Sequence, residues 1–212
     1  MIFYLNDNDH FFPDPSLAEE DGLLAIGGDL SSERLIHAYQ SGIFPWFSDD
    51  EPICWYAPHE RCVIFPEKVF ISKSMQKIID CKVFNVTVNT AFEKVISACR
   101  QIPRKEANGT WITQEMEQAY IRLHNAGIAH SVEVWQNNEL AGGLYGVQVN
   151  NVFCGESMFS SVSNASKMGL IWLCTQNNYA MIDCQLQNSH LMSMGAEMIG
   201  REEYLKILHT YR

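Results

Sequence analysis

The chain has 212 residues, of which 47% are hydrophobic and 19% are charged, and its formal net charge is −10. This balance is typical of a globular protein with ample material for a core, and the length suits one large domain or a domain with a small appendage. No stretch approaches roughly 18 uninterrupted apolar residues, and the N-terminus lacks the features of a secretory signal, so we expect neither a membrane-spanning helix nor a cleaved leader.

The first predicted helix covers residues 31–41, where Leu35, Ala38 and Tyr39 share one face at helical spacing. The segment that follows, 42–61, is rich in proline and aromatic residues. Because prolines interrupt regular structure, we expect an aromatic-rich loop there, with a domain boundary near its end.

Four further elements are predicted before the chain changes character. Apolar residues at helical spacing predict helices, and alternation of apolar and polar residues predicts a strand. Thr90 and Glu93 have the spacing of a capping box, in which two side chains satisfy free N–H groups at the start of a helix. The predicted elements are helices over 72–80, 90–99 and 113–126 and a strand over 83–89.

The C-terminal half is dominated by strand patterning. The pairs Asn137-Asn138 and Asn150-Asn151 tolerate positive φ and are typical of hairpin turns, so three antiparallel strands are expected in series. The later predicted elements are a helix over 164–175, a buried strand over 180–185 and a helix over 201–209. Helices followed by a meander, a helix and a late strand indicate an α+β fold with a mixed sheet.

Cysteine spacing and charge distribution indicate the environment and a partner. The seven cysteines are irregularly spaced and form no CxxC pair, which favours reduced thiols in a cytosol over disulfides or a zinc site.

Residues 61–105 carry nine Lys or Arg and three Asp or Glu, a net charge of +6, whereas the rest of the chain carries a net charge of −16. This basic segment suggests docking of an anionic partner, and the alternative is an ordinary solvated helix face.

Seven motifs together resemble one enzyme family. They are GLLAIGGDLSSERLIHAYQSGIFPWFS, GTWIT, YIRLHNAGIAHSVEVW, LAGGLYGV, FCGESMFS, NASK and IDCQ. In this order, and over nearly the whole chain, they resemble the leucyl/phenylalanyl-tRNA–protein transferase family. The resemblance implies a small N-terminal domain over 1–60 and a GNAT-like acyltransferase domain over 61–212, in which helices flank a mixed sheet.

The resemblance also implies a cytoplasmic aminoacyltransferase. Such an enzyme moves Leu or Phe, and less readily Met, from its tRNA to the N-terminal Arg or Lys of a protein, and the product is an N-degron that marks the protein for degradation. The expected partners are the 3′ end of aminoacyl-tRNA and the acceptor protein or peptide, with no membrane. No metal or other cofactor is expected, because aminolysis of an ester is downhill and an N-terminal amine, with a pKa of about 8, is partly neutral near pH 7.

Asp183 and Gln185 are the catalytic pair that the resemblance implies. They stand at i and i+2 of a predicted strand, so their side chains are expected on the same face. A carboxylate there can hold and polarise the Gln185 amide, which would contact the attacking amine or the reacting carbonyl. Direct proton transfer to Asp183 stays open, and the alternative role is a buried Asp satisfied by backbone donors.

Glu156 is the candidate for acceptor binding, because its carboxylate follows a run that is typical of a buried strand. At the mouth of a cleft, a carboxylate attracts both the α-ammonium and the cationic side chain of an N-terminal Arg or Lys. The alternative is a strand-end Glu paired to a Lys, and the resemblance favours the acceptor role.

Aromatic and apolar residues are expected to bind the aminoacyl-tRNA. By resemblance, Trp46 and Trp111 stack on the terminal adenosine, whereas the alternative is that they fill the domain junction. An apolar pocket for the Leu or Phe side chain is also expected, and core packing is the alternative for its members. The candidate wall residues are Leu144, Phe153, Leu170, Leu173 and Ile182, of which Phe153 and Leu170 match pocket positions by resemblance.

Two other functions fit part of the sequence. An acetyl-CoA-dependent N-acetyltransferase needs a glycine-rich turn between strand and helix to hold pyrophosphate, and SVSNASKMG after FCGESMFS lacks that pattern. An adaptor that binds N-degrons without modifying them explains Glu156 and Asp183, but it explains neither the two loop tryptophans nor the basic segment.

Overall fold

The computed structural model describes residues 2–7, 9–102, 112–176 and 178–210. Within these ranges the strands are β1 (Phe3–Leu5), β2 (Leu23–Gly27), β3 (Phe44–Pro45), β4 (Cys54–Tyr56), β5 (Glu60–Ile64), β6 (Asn85–Val88), β7 (Ala129–Gln136), β8 (Glu139–Val149), β9 (Val152–Ser160), β10 (Met181–Gln185) and β11 (Glu197–Gly200). The α-helices of the same ranges are α1 (Ser32–Gln40), α2 (Lys73–Asp80), α3 (Phe92–Gln101), α4 (Gln114–Asn125), α5 (Ala165–Thr175), α6 (Ser189–Met192) and α7 (Arg201–Leu208).

The strands form a four-stranded sheet in the order β1-β2-β4-β3 and a seven-stranded sheet in the order β11-β5-β10-β9-β8-β7-β6. Neighbours in the larger sheet pair antiparallel, except that β9 and β10 pair parallel. One face packs against α3 and α4 and the other against α2 and α5, so apolar residues are buried on both sides. This mixed sheet with flanking helices confirms the α+β prediction.

Local sequence signals account for most of the predicted elements. The helix predicted over 31–41 is α1, and its buried face contains Leu35, Ala38 and Tyr39. The hairpin turns of the β7-β8-β9 meander are also as predicted, because Asn137, Asn138 and Asn150 adopt positive φ. Ser31, Ser72 and Thr113 cap the first turns of α1, α2 and α4 by accepting a backbone N–H hydrogen bond.

Two local predictions were wrong. Thr90 and Glu93 do not form a capping box, because α3 begins after Ala91 and the Thr90 hydroxyl instead donates to the buried carboxylate of Glu133 at 2.8 Å. The proline-rich segment 42–61 is not irregular throughout, since it contains β3, β4 and the first residues of β5. Pro45 is tolerated because β3 is an edge strand, where a missing N–H costs no ladder hydrogen bond.

The proposed boundary at residue 60 falls within β5. Strands β1 to β4 and helix α1 precede it, and the larger sheet begins with β5. The division into two domains stays a prediction. Among the residues that the structure describes, no helix has the length and apolar character needed to cross a bilayer.

Candidate active site

The site lies where β9 and β10 separate. Their parallel pairing ends at Cys154 and Asp183. Each strand then contains a β-bulge, in which Glu156 is the extra residue of β9 opposite β8 and Cys184 is the extra residue of β10 opposite β5. Bulges redirect side chains beside functional sites. Here Glu156 and Gln185 meet across the gap, where Gln185 Nε2 donates to Glu156 Oε1 at 2.7 Å.

The bulge overturns the prediction that Asp183 and Gln185 share a face. The extra residue, Cys184, breaks the alternation of the strand, and Gln185 adopts a left-handed φ of 60°. Gln185 consequently lines a cavity with Glu156, whereas the Asp183 carboxylate contacts Arg61 and Tyr204. The two residues are still linked, because the Gln185 backbone N–H donates to Asp183 Oδ1 at 2.8 Å.

An apolar cavity of about 180 Å³ lies beside the carboxylate and the amide. All five predicted wall residues line it, and all five are buried: Leu144, Phe153, Leu170, Leu173 and Ile182. The glycine-rich β8 makes room for one of these walls, because a Cβ at Gly146 would lie 2.6 Å from the Phe153 ring. The structure thus brings the predicted residues together, and their contact with a substrate stays a prediction.

Glu156 is buried rather than at an open cleft mouth, with 7% of its surface exposed. The Tyr120 hydroxyl donates to its Oε2 at 2.9 Å and also contacts the hydroxyl of Tyr39, a residue of α1. Burial raises the pKa of Glu156 to about 7, against the opposing effect of hydrogen bonds from Tyr39, Tyr120 and Gln185. Near neutral pH this carboxylate is therefore poised between its charged and neutral forms, and its partners are hydroxyl and amide groups rather than a Lys.

Asp183 forms a buried ion pair that the sequence did not reveal. The Arg61 Nε lies 3.1 Å from Oδ1, and the Tyr204 hydroxyl donates to Oδ2 at 2.8 Å. Arg61 also donates to the carbonyl of Gly42 at 2.9 Å, and its guanidinium stacks on the ring of Tyr204. The negative charge of Asp183 raises the pKa of Arg61 despite burial, so the arginine stays charged.

Trp46, which is predicted to bind adenosine, is not among the residues that line this cavity. Trp46 follows β3, is 42% exposed and lies against Tyr56, with ring centroids 5.7 Å apart. Its ring is therefore open to solvent rather than filling a junction, and its stacking on adenosine stays a prediction. Trp111 lies outside the described residues.

The basic segment contains both paired and exposed lysines. Lys68 is bound to Glu197, with Nζ 2.5 Å from Oε1. Lys73 and Lys77 are exposed on α2. Their charge is available to an anionic partner, which keeps the docking interpretation of this segment open.

Sequence reasoning missed the second layer of the site. Four residues from four different elements surround the two carboxylates. Glu156 is contacted by Tyr39 and Tyr120. Asp183 is contacted by Arg61 and Tyr204. The sequence placed Tyr39 only on the shared face of the first helix. The one available signal was Arg61 itself, because a charged residue at the start of the apolar run RCVIF, most of which lies in β5, needs a partner.

Comparison with known sequences identifies the family. The sequence profile described as leucyl/phenylalanyl-tRNA protein transferase matches residues 63–209, and the profile of that family's N-terminal domain matches residues 28–59. The chain belongs to the leucyl/phenylalanyl-tRNA protein transferase family. A leucyl/phenylalanyl-tRNA–protein transferase of Flavobacterium johnsoniae is 57% identical over 99% of this chain and 100% of its own length, and one of Desulfatibacillum aliphaticivorans is 53% identical over 93% of this chain and 86% of its own.

Membership of the leucyl/phenylalanyl-tRNA protein transferase family confirms the prediction of an aminoacyltransferase. The matches to solved structures are distant. A conserved protein of unknown function from Bacteroides thetaiotaomicron has a TM-score of 0.49 and 10% identity, covering 64% of this chain and 53% of its own. A GCN5-related N-acetyltransferase from Kribbella flavida has a TM-score of 0.39 and 6% identity, covering 76% of this chain and 61% of its own. The family assignment rests on the sequence matches.

Proposed function

We propose that the protein transfers Leu or Phe, and less readily Met, from aminoacyl-tRNA to the N-terminal Arg or Lys of acceptor proteins. The observation that carries this proposal is the apolar cavity whose lining includes both partners of the Glu156–Gln185 hydrogen bond. One ligand can place an apolar side chain among the wall residues while its reacting group lies beside a carboxylate and an amide. The family assignment supports the same chemistry.

The size of the cavity suits the proposed donors. It measures about 180 Å³, and an engineered cavity of about 150 Å³ lined by Leu, Ile and Phe binds benzene. The predicted walls are aliphatic apart from Phe153, so a Leu or Phe side chain would lose no hydrogen bond on entering. Because an apolar pocket separates side chains that differ by one methylene by only about 1–3 kcal/mol, acceptance of several apolar amino acids is expected.

The reaction is aminolysis of the ester that joins the amino acid to the terminal ribose. The neutral α-amine of the acceptor attacks the ester carbonyl and loses a proton, and the ribose oxygen leaves as a hydroxyl. Gln185 gives one amide N–H to Glu156, and a primary amide has a second N–H and a carbonyl oxygen to orient the reacting atoms. The enzyme then contributes mainly by holding the amine and the carbonyl in line.

Glu156 is the proposed anionic partner of the acceptor. An N-terminal Arg or Lys brings two positive charges, and Glu156 is the acidic residue of the cavity lining. With a pKa near 7, its carboxylate can hold the α-ammonium by charge or take up its proton. We place the modified proteins in the bacterial N-degron pathway and the enzyme in the cytoplasm, in keeping with the family resemblance and the seven free cysteines.

The direct test is incubation of the full chain with Phe-tRNA and a peptide that begins with Arg, followed by mass spectrometry. The expected product is the peptide extended by one Phe at its N-terminus, with no product from a matched peptide that begins with Ser. Modification of neither peptide, or of both equally, would reject the proposed acceptor. Calorimetry with acetyl-CoA tests the competing acetyltransferase, for which binding would count against the proposal.

A second prediction concerns the tRNA. Replacing Lys73 and Lys77 with Gln is expected to weaken the binding of whole aminoacyl-tRNA and to lower its salt dependence, with a loss of about 0.9 in the log–log slope for each phosphate contact removed. Binding of a short aminoacyl-adenosine analogue should not change, because it lacks the tRNA backbone. Binding titrations over a series of salt concentrations measure both ligands.

Two control variants accompany that experiment. Lys68→Gln should have a smaller effect than the double variant, because Lys68 is already paired with Glu197. Trp46→Ala should weaken whole tRNA and the analogue alike, by on the order of 1–3 kcal/mol, if its exposed ring stacks on adenine. Equal weakening of both ligands by the double Lys variant would contradict a backbone-binding role for α2.

A further inference from the structure

The direction of the Gln185 side chain depends on an unusual backbone conformation. Its φ of 60° lies in the left-handed region, which costs a non-glycine residue roughly 1–2 kcal/mol. This bend follows the bulge of β10 and accompanies the meeting of the Gln185 amide with Glu156 across the gap. Something in the surrounding structure must hold the bend in place.

Asp183 is the group that holds it. Its Oδ1 accepts the Gln185 backbone N–H at 2.8 Å, a local side-chain-to-backbone hydrogen bond that favours a turn over continued strand. Asp183 is only 1% exposed and is not part of the cavity lining, so its carboxylate acts on the peptide of Gln185 rather than on the contents of the cavity.

Asp183 is in turn fixed by residues from two other elements. Arg61 of β5 contacts both carboxylate oxygens through Nε, at 3.1 and 3.2 Å, and Tyr204 of α7 donates its hydroxyl to Oδ2 at 2.8 Å. Arg61 is itself held by the carbonyl of Gly42 and lies between the rings of Phe44 and Tyr204, at 4.8 and 4.5 Å from their centroids. Neither oxygen of Asp183 is free to rotate without breaking a charge-assisted hydrogen bond.

We propose that Arg61 and Tyr204 are positioning residues, which set the direction of the Gln185 amide through Asp183. The inference rests on the proposed function, in which Gln185 orients the reacting atoms. It assigns Asp183 a role different from proton acceptance: its charge is neutralised by Arg61, and its oxygens are engaged by Arg61, Tyr204 and the Gln185 N–H.

The test is a double-mutant cycle between Tyr204→Phe and Gln185→Ala, with turnover of Phe-tRNA and an Arg-starting peptide by the full chain. Tyr204→Phe removes only the hydroxyl and keeps the ring on Arg61. The hydroxyl donates to Asp183 and accepts from Arg61, so two hydrogen bonds to charged groups are lost. The variant is expected to lower kcat at least about tenfold, with little change in KM for the donor. In the Gln185→Ala background the same change should have no further effect on kcat, because the group that it positions is gone.

The outcomes of the cycle test the positioning role of Tyr204 separately from the role of Gln185 in the reaction. Equal slowing by Tyr204→Phe in both backgrounds, or no slowing in the wild-type background, would overturn the positioning role. No loss from Gln185→Ala alone would instead reject the role of Gln185 in the proposed function. Tyr179→Phe is the matched control, since it removes a hydroxyl bound to Gln148 at the surface.

Arg61→Lys is a second variant, which tests the same positioning role if the Tyr204→Phe protein does not fold. It retains the positive charge beside Asp183 but loses the planar donor group that spans Asp183 and Gly42. The same dependence on the Gln185 background is expected, and urea unfolding of every variant separates loss of turnover from loss of fold.

Discussion

Glu156→Gln is expected to lower kcat/KM for peptides that begin with Arg or Lys by roughly ten- to a hundredfold, while the binding of the aminoacyl donor is unchanged. The amide keeps the size of the side chain and one of the two oxygens that accept from Tyr120 and Gln185, but it loses the charge. A charge-assisted hydrogen bond is worth about 1.5–3 kcal/mol, which sets the expected range. Steady-state kinetics with a peptide that begins with citrulline provide the comparison, because that residue is close in shape to Arg and uncharged.

Citrulline and pH distinguish the possible roles of Glu156. If it binds the cationic side chain, the citrulline peptide is poor with the wild-type enzyme and loses little more with the variant. If it accepts the proton of the α-amine, both peptides lose equally. In either role, wild-type kcat/KM should rise with pH through about 7 as Glu156 ionises. This component should be absent from the variant, which keeps only the rise near about pH 8 that comes from the α-amine of the peptide. A pH profile shared by both proteins would contradict either role.

The raised pKa of Glu156 also makes folding stability depend on pH. The folded-state value of about 7 lies above the ordinary value of 4.5, so between these values the folded protein keeps a proton that the unfolded chain has released. The contribution of this group to stability is therefore full below about pH 4.5 and falls by up to about 3 kcal/mol as the pH rises to about 7. Urea unfolding at both ends of this range should show that Glu156→Gln loses the slope.

Glu133→Gln is a matched control for both experiments on Glu156. Glu133 is also buried, but its carboxylate accepts from the hydroxyls of Thr87, Thr90 and Ser131 and from the backbone N–H groups of residues 90 and 91, and it is not part of the cavity lining. Its replacement is expected to lower stability without removing the rise in kcat/KM near pH 7.

Asp183→Asn is expected to lower the free energy of unfolding by about 3–5 kcal/mol, because it leaves the charge of Arg61 buried without its partner. That loss is a large fraction of the roughly 5–15 kcal/mol that stabilises a typical domain. The asparagine keeps an oxygen for the Gln185 N–H, but its amide nitrogen cannot accept the hydrogen bond that Tyr204 donates to Oδ2, so the effect combines the loss of the ion pair and of that hydrogen bond. Urea denaturation monitored by tryptophan fluorescence measures it.

The double variant Asp183→Asn with Arg61→Met tests whether the unpaired charge of Arg61 causes the loss of stability. Removing the stranded charge should recover part of the stability, because replacing a buried ion pair with uncharged groups is often nearly neutral. Turnover should not recover, since the double variant still lacks the contacts that fix position 183. A single variant that loses less than about 1 kcal/mol would show that the pair is solvated in the native state.

The features that the sequence predicted are those with local causes. The face of α1 follows from the spacing of Leu35, Ala38 and Tyr39, and the hairpins follow from asparagines that adopt positive φ. Five wall residues were predicted, of which Phe153 and Leu170 matched pocket positions by resemblance. They lie together because alternation along β8, β9 and β10 places Leu144, Phe153 and Ile182 on the face that α5 covers.

The features that the sequence did not predict depend on distant partners. Arg61 and Asp183 are 122 positions apart, so no local pattern joins them. The bulge of β10 breaks the twofold alternation that predicted Gln185 on the same face as Asp183, and the bulge of β9 at Glu156 has no local signal in the sequence. Burial sets the pKa of Glu156, and burial depends on Tyr39 and Tyr120 from elements outside the sheet. Such features follow from tertiary contacts and not from the composition of the strand.

Helix α1 reaches the site at two points near its C-terminal end, the hydroxyl of Tyr39 and the carbonyl of Gly42. Gly42 has a φ of 73°, and a Cβ there would lie 2.8 Å from Leu205 of α7, so the first and last helices interlock with no room for a side chain. Backbone amides of α1 and β9 should therefore exchange with deuterium through one shared opening rather than through separate ones. We therefore expect that residues 63–209, which the family profile matches, do not fold on their own, since the N-terminal residues complete the same cooperative structure.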